Sequence, residues 1–89
     1  MGNMRNMERT LKALANNRRL SILRHLAKVG SATVGELAGL NRIAMGSTSR
    51  HLSILKGVEL IDQEQKSVKM YYHLTANGRR LLNKLLTIF

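Results

Sequence analysis

The stretch TVGELAGLNRIAMGSTSRHLSILKG, residues 33–57, decides how the chain folds. It opens on Thr33 and Glu36, a T-x-x-E capping box in which the hydroxyl takes an N–H of the first turn and the carboxylate reaches back to the cap. Val34, Leu37, Ala38 and Leu40 give the short helix that follows an apolar side, and Asn41 and Arg42 make a turn. The next helix is expected from about Ala44 to Lys56. Its Thr48, Leu52 and Leu55 are spaced four and then three, so they share one stripe. Met45, Gly46, Ser49, Arg50 and Ser53 fall largely on the opposite side. That outer face is small and polar with one arginine, where a merely solvated helix more often carries Glu, Lys and Gln. Small side chains let a helix sit deep in a groove. Two short helices joined by a tight turn form a helix-turn-helix.

Upstream, Met4, Met7, Leu11 and Leu14 recur at helical spacing, and Asn16 and Asn17 interrupt them, as residues suited to caps do. A second helix carries Leu20, Leu23, Leu26 and Ala27, and Gly30 stops it. Downstream of Gly57 the period changes. Leu60 to Glu64 reads as a strand, and Val68, Met70, Tyr72 and Leu74 alternate with Lys69, Tyr71 and His73 as a second. Gln65, Lys66 and Ser67 make the tip between them. Thr75 caps a last helix with Leu81, Leu82, Leu85, Leu86 and Phe89 on its apolar side; Asn77-Gly78 should leave its first turn imperfect. The fold class is mainly α with a small β-hairpin wing, a winged helix-turn-helix in the order α-α-α-α-β-β-α. It fills one domain, residues 1–89.

Fifteen Lys and Arg against five Asp and Glu give a formal charge of +10. In so short a chain such an excess draws polyanions, with nucleic acid ahead of an anionic membrane. Aromatic residues are only 3%, so the core is aliphatic and thin, and a second copy of the chain is the natural source of further burial. The absence of cysteine excludes disulfides and thiol chemistry. No apolar run approaches the ~20 residues that span a bilayer. The chain reads as soluble and cytoplasmic, associated with the nucleoid.

The segment from Leu11 to Leu74 resembles the arsenical-resistance repressor (ArsR/SmtB) family. LKALANNRRLSILRHL (11–26) is similar to that family's K-A-L-A-D-x-x-R-L-x-I-L entry, and TVGELAGL (33–40) to the first helix of its motif. STSRHLSILKGVELI (47–61) resembles its recognition helix and exit, S-x-S-x-H-L-x-x-L-x-x-x-G-L-I, and VKMYYHL (68–74) its strand after the wing. LTANGRRLL (74–82) looks more like the close of MarR- or PadR-type winged helices. There are departures. Where family members hold metal through C-x-C, this chain has Ala32-Thr33-Val34-Gly35-Glu36, and its last helix has no His, Asp or Glu. The fold carries over, whereas metal sensing does not; neither metal nor cofactor is expected. Asn17 falls where the family often has proline. Glu59 falls near the family's glycine after the recognition helix, and Gly57 is expected to take that role.

The resemblance implies a sequence-specific regulator of transcription, a repressor in the family's manner, acting on double-stranded DNA. Gly46, Ser47, Ser49 and Arg50 would face the major groove, flanked by Met45 and Ser53; Arg can pair bidentately with guanine, and Ser can take base edges or phosphate. His51 lies one turn from Thr48 and Leu55, so it stands open between DNA contact and a partly buried hydrogen bond. Lys66 and Lys69, on a wing around residues 64–68, would reach phosphates or the minor groove. Arg42 is a candidate backbone contact at the motif turn. Arg18 and Arg19 oppose the dipole at the start of the second helix, a conflict a nearby phosphate would remove. Met4, Met7 and Leu11 with Leu82, Leu85, Leu86 and Phe89 are expected to form a homodimer interface, which places two recognition helices roughly 34 Å apart on a near-palindromic operator. The charge alone would also permit an architectural DNA-binding protein or a winged-helix module that binds protein. His25, His51 and His73 sit on three separate elements, no carboxylate pair has useful helical spacing, and no phosphate-binding or nucleophile motif occurs, so an enzyme is not expected.

Overall fold

The structure is a computed structural model that describes residues 3–89. Five helices and three strands follow in the order α1 (Met4–Leu14), α2 (Asn17–Val29), β1 (Ala32–Thr33), α3 (Val34–Asn41), α4 (Met45–Gly57), β2 (Ile61–Lys66), β3 (Lys69–Leu74) and α5 (Ala76–Ile88). The helix boundaries follow capping chemistry. Asn3 Oδ1 accepts the Asn6 N–H at 2.7 Å, and Asn16 Oδ1 accepts that of Arg19 at 3.1 Å. The reciprocal Thr33–Glu36 box opens α3 with bonds of 2.9 and 3.2 Å. Gly30 closes α2 with φ of 92°, a conformation that favours glycine.

The core is aliphatic. Ile22, Leu23 and Leu26 of α2 pack with Leu37 of α3, Leu52 and Leu55 of α4, and Leu60, Ile61 and Leu74 at the root of the wing. Leu14 and Leu82 bring in α1 and α5. Thr48 is the buried polar side chain; its hydroxyl donates back to the Ala44 carbonyl at 3.1 Å, so burial leaves it satisfied.

The structure departs from the sequence reading in four places. A strand, β1, was not foreseen: two residues pair antiparallel with Tyr71 and Tyr72 to give a sheet ordered β1-β3-β2. The wing tip lies at Ser67-Val68 rather than Gln65–Ser67, because Lys66 pairs with Lys69 and leaves a two-residue turn. Ser67 takes the positive φ, 58°, that a type II′ turn requires at its first central position, and Val68 stands 90% exposed instead of joining the strand's inner face. Gly57 does not take the role of the family's glycine. Glu59 itself adopts the left-handed conformation, φ 61°, at a cost of about 1–2 kcal/mol for a residue with a Cβ.

The fourth departure is Asn77-Gly78, which breaks nothing. Both lie inside α5, whose first turn is closed by Thr75 Oγ1 accepting the Gly78 N–H at 2.9 Å. Gly78 is required by packing, since a Cβ there would overlap the carbonyl oxygen of Leu60. That obstacle is backbone and cannot rotate away. Gly78→Ala should therefore destabilise the fold by about 1–3 kcal/mol, the usual range for overpacking, read as a lower denaturation midpoint with an unchanged m-value.

Candidate nucleic-acid interface

The recognition helix runs Met45–Gly57, one residue from its expected limits, and its two faces separate as the spacing implied. Thr48, Leu52 and Leu55 are buried, while Met45, Gly46, Ser47, Ser49, Arg50 and Ser53 are exposed. Ala44 occupies the N-cap without a side-chain hydrogen bond, so no side chain of the cap competes for the first N–H groups of α4. The outer surface of α4 thus offers backbone donors, small hydroxyls and one guanidinium.

Two expected contacts meet in one cleft. Arg18, at the start of α2, and Arg42, in the turn between α3 and α4, line a polar recess of about 360 Å³ with Asn16, Asn17, Leu40 and Asn41. Asn41 Nδ2 donates to the Arg18 carbonyl at 3.4 Å and ties the two sides together. Arg42 holds the left-handed conformation, φ 54°, that ends α3. The wing supplies a second cationic point. Lys66 and Lys69 are direct cross-strand partners, and Lys66 Nζ lies 5.8 Å from the centre of the Tyr71 ring. Like charges directly opposite destabilise a hairpin, and a polyanion between them would remove that cost.

Arg19 is not a free cation, which corrects the reading that placed it on the DNA backbone. Its Nε donates to the Ala13 carbonyl at 2.6 Å, its Nη2 to the Lys12 carbonyl at 3.3 Å, and its Nη1 lies 3.1 Å from His51 Nδ1. For Arg19 the electrostatic conflict at the start of α2 is resolved within the molecule, because its guanidinium sits on the C-terminal carbonyls of α1, where a cation is favoured. His51 is correspondingly half-buried. A guanidinium has no acceptor, so Nδ1 accepts and the ring proton sits on Nε2. Burial, and then the positive charges of Arg19, Arg18 and Arg50, push His51 below its ordinary value of 6.5.

The sequence reading missed Arg9 and Lys12. With Arg19, they line a cleft against Ser53, Ile54, Gly57 and Val58 at the carboxyl end of α4. Their signal was present: Arg5, Arg9 and Lys12 recur at helical spacing, offset from the Met4, Met7, Leu11 stripe. Among the described residues the one ion pair is Lys12 with Glu8, exposed and 3.8 Å long, so the cations are not neutralised internally.

Of the expected dimer residues, Met4, Met7, Leu11, Leu86 and Phe89 are exposed, Phe89 at 98%, and Leu85 is half-buried. Leu82 corrects the expectation: at 5% exposure it belongs to the protomer's own core and forms only the floor of an apolar groove between α1 and α5. Leu20, expected on the inner side of α2, opens onto the same groove. Among the described residues no helix is long and apolar enough to cross a membrane.

Residues 16–63 match the family described as bacterial regulatory protein, arsR family. The arsenical resistance operon repressor of Bacillus subtilis is 35% identical over 71 residues, which are 80% of this chain and 68% of that protein. The homodimeric winged helix-turn-helix DNA-binding domain Mb0332 of Mycobacterium bovis superposes with a TM-score of 0.88 at 29% identity, covering 96% of this chain and 79% of that one. The transcriptional repressor BigR of Xylella fastidiosa superposes with a TM-score of 0.76 at 31% identity, covering 89% and 78%.

The state of His51 sets a pH dependence. Its folded value is lowered, so the unfolded chain takes up this proton at higher pH than the folded one. Stability from the neutral ring is complete above about 6.5 and is lost as pH falls from there towards the lower folded value. Glu36 titrates in a separate window, since the Thr33 backbone N–H and hydroxyl hold it below 4.5. Denaturation midpoints should therefore be flat above about pH 7 and fall as pH drops below about 6.5. In His51→Asn the part of that fall contributed by residue 51 should vanish.

Proposed function

The chain belongs to the ArsR family of bacterial regulatory proteins, and on that premise we propose that it is a homodimeric repressor that reads a near-palindromic duplex with α4. The observation that carries this reading is the division of α4 between a buried Thr48-Leu52-Leu55 stripe and an exposed face of Met45, Gly46, Ser47, Ser49, Arg50 and Ser53. Ser49 and Arg50 are the base readers, with Ser47 and Gly46 allowing close approach to the groove. Arg18 and Arg42 each hold a phosphate from the cleft they share, and Lys66 and Lys69 hold the backbone or the minor groove at the wing. His51, engaged by Arg19, is not a reader. The exposed apolar residues of α1 and α5 are covered by a second copy of the chain, as the Mycobacterium bovis neighbour is homodimeric. The cytoplasm, at the nucleoid, is where such a protein would act.

Selection of bound duplexes from a random pool at about 150 mM salt, near physiological ionic strength, tests the reading. The expected result is an enriched near-palindrome with half-sites about 10 bp apart. Binding without enrichment would mark a sequence-indifferent architectural protein instead, and no saturable binding would point to a protein-binding module. Arg50→Ala should lose preference at one position of each half-site, by about 1–3 kcal/mol, while leaving random-duplex affinity nearly unchanged.

Two further outcomes follow from the geometry. With about four phosphate contacts per protomer, the dimer should lose affinity with a log–log salt slope near −7, and Arg42→Ala should reduce that slope by about 2. Leu11→Glu, placing a charge on the α1 stripe, should shift sedimentation from dimer to monomer without unfolding the protomer, because Leu11 lies outside the buried core.

A further inference from the structure

Three elements meet at one side chain. The guanidinium of Arg19, in the first turn of α2, bonds the last carbonyls of α1 and the imidazole of His51 on α4. Ala13 is buried, and the bond to its carbonyl, at 2.6 Å, is the shortest of the three. The planar fork of an arginine holds several acceptors in a fixed geometry, which a lysine cannot do. His51 follows Arg50 directly and lies one turn beyond Ser47 on the helix that carries the base-reading face.

We propose that Arg19 is a positioning residue for DNA recognition: through His51 Nδ1 it fixes the rotation of α4 relative to the end of α1, and so sets the base-reading face in register with the dimer axis. This rests on the reading of α4 as the recognition helix and of α1 as a dimer helix. The groups facing the ring are consistent with it. Arg18 and Arg19 from α2 and Arg50 on α4 itself are all cations, so His51 remains neutral and keeps Nδ1 free to accept. A two-fold dimer reads two half-sites at a set spacing, and a small rotation of α4 in each protomer misplaces both reading faces at once. Phosphate contacts tolerate such a rotation better than base contacts, because phosphates present charge without sequence. The link therefore acts on specificity more than on overall affinity.

The test uses the whole chain and the duplex enriched from the random pool. His51→Leu removes the acceptor, His51→Asn restores one near the position of Nδ1, and Arg19→Lys keeps the charge but loses the fork. The readout is the ratio of enriched-duplex to random-duplex affinity, measured well below each variant's melting temperature. The ratio should fall about tenfold in His51→Leu and in Arg19→Lys, within the range of site-to-site couplings, and recover to within about twofold in His51→Asn. Nitrogen NMR of the wild-type ring should show the proton on Nε2, and Arg19→Lys should raise the titration point of His51. An unchanged ratio in His51→Leu and Arg19→Lys overturns the proposal. An equal fall in His51→Leu and His51→Asn also overturns it, by making His51 a direct DNA contact. Should Arg19→Lys fail to fold, the two His51 variants decide alone. A wild-type protein that enriches no duplex removes the reading of α4 and this proposal with it. Enrichment by the wild type with unaltered ratios in the variants removes only the role of Arg19.

Discussion

Leu60 holds the DNA-facing parts to one frame. Its amide donates to the Leu55 carbonyl at 3.1 Å, closing the exit of α4, and its carbonyl accepts the Thr75 N–H at 3.0 Å, at the start of α5. Its side chain is buried in the core, and the next residue, Ile61, begins the wing. The Thr75 hydroxyl adds a bond to the Glu59 carbonyl at 2.8 Å. Recognition helix, wing root and last helix therefore converge within a few residues, and the contact is so close that α5 must present glycine at position 78. The left-handed conformation of Glu59 belongs to the same knot, since the chain must turn sharply between the end of α4 and Leu60. A cost of about 1–2 kcal/mol at Glu59 is tolerable because the burial of Leu60 and Ile61 and three hydrogen bonds surround it.

With the frame held from behind, the outer face of α4 is free to be small. A helix that must stabilise itself needs good helix formers and ion pairs; α4 instead carries Gly46 and three exposed serines, and relies on Thr48, Leu52 and Leu55 for its place. The same logic governs charge. Lys66 and Lys69 stand directly opposite one another on the hairpin, where like charges are unfavourable, and Arg18 and Arg42 share one cleft. They are tolerated where the hydrophobic frame is sufficient, and phosphates lying between them would make them favourable.

Much of this was legible in the sequence. The capping box, the Thr48-Leu52-Leu55 stripe and the alternation in β3 specify local structure through periodicity and caps, and these elements fell within a residue or two of their expected limits. The features that were not legible depend on partners distant in sequence. A two-residue strand has no periodicity, and β1 exists only because Tyr71 and Tyr72 lie beside it. Gly78 resembles a turn signal until Leu60 is seen against it. Val68 satisfies the strand alternation, but the register Lys66–Lys69 makes it part of the tip. Arg19 illustrates the limit most clearly. Its charge and place in the chain suggested a phosphate, whereas its acceptors come from α1, six and seven residues back, and from His51, thirty-two residues on.

The division between frame and surface also explains why one protomer would be a poor reader. The four proposed phosphate contacts and one short helix face would give a single copy weak binding, and the small aliphatic core leaves Met4, Met7, Leu11, Leu86, Ile88 and Phe89 exposed. In the proposed dimer, pairing two copies through those residues would bury the apolar surface and make the second half-site contact intramolecular. The effective concentration then depends on how rigidly the two reading faces are held apart. In such a dimer, rigidity would have to pass from α1 and α5 to α4. In this structure it can do so through Leu14 and Leu82 in the core, which are apolar and permit rotation, and through the Arg19 fork, which is directional and restrains it. Hydrophobic burial alone would hold the helices together without setting their angle; on the proposed reading, the hydrogen-bonded junction supplies that angle.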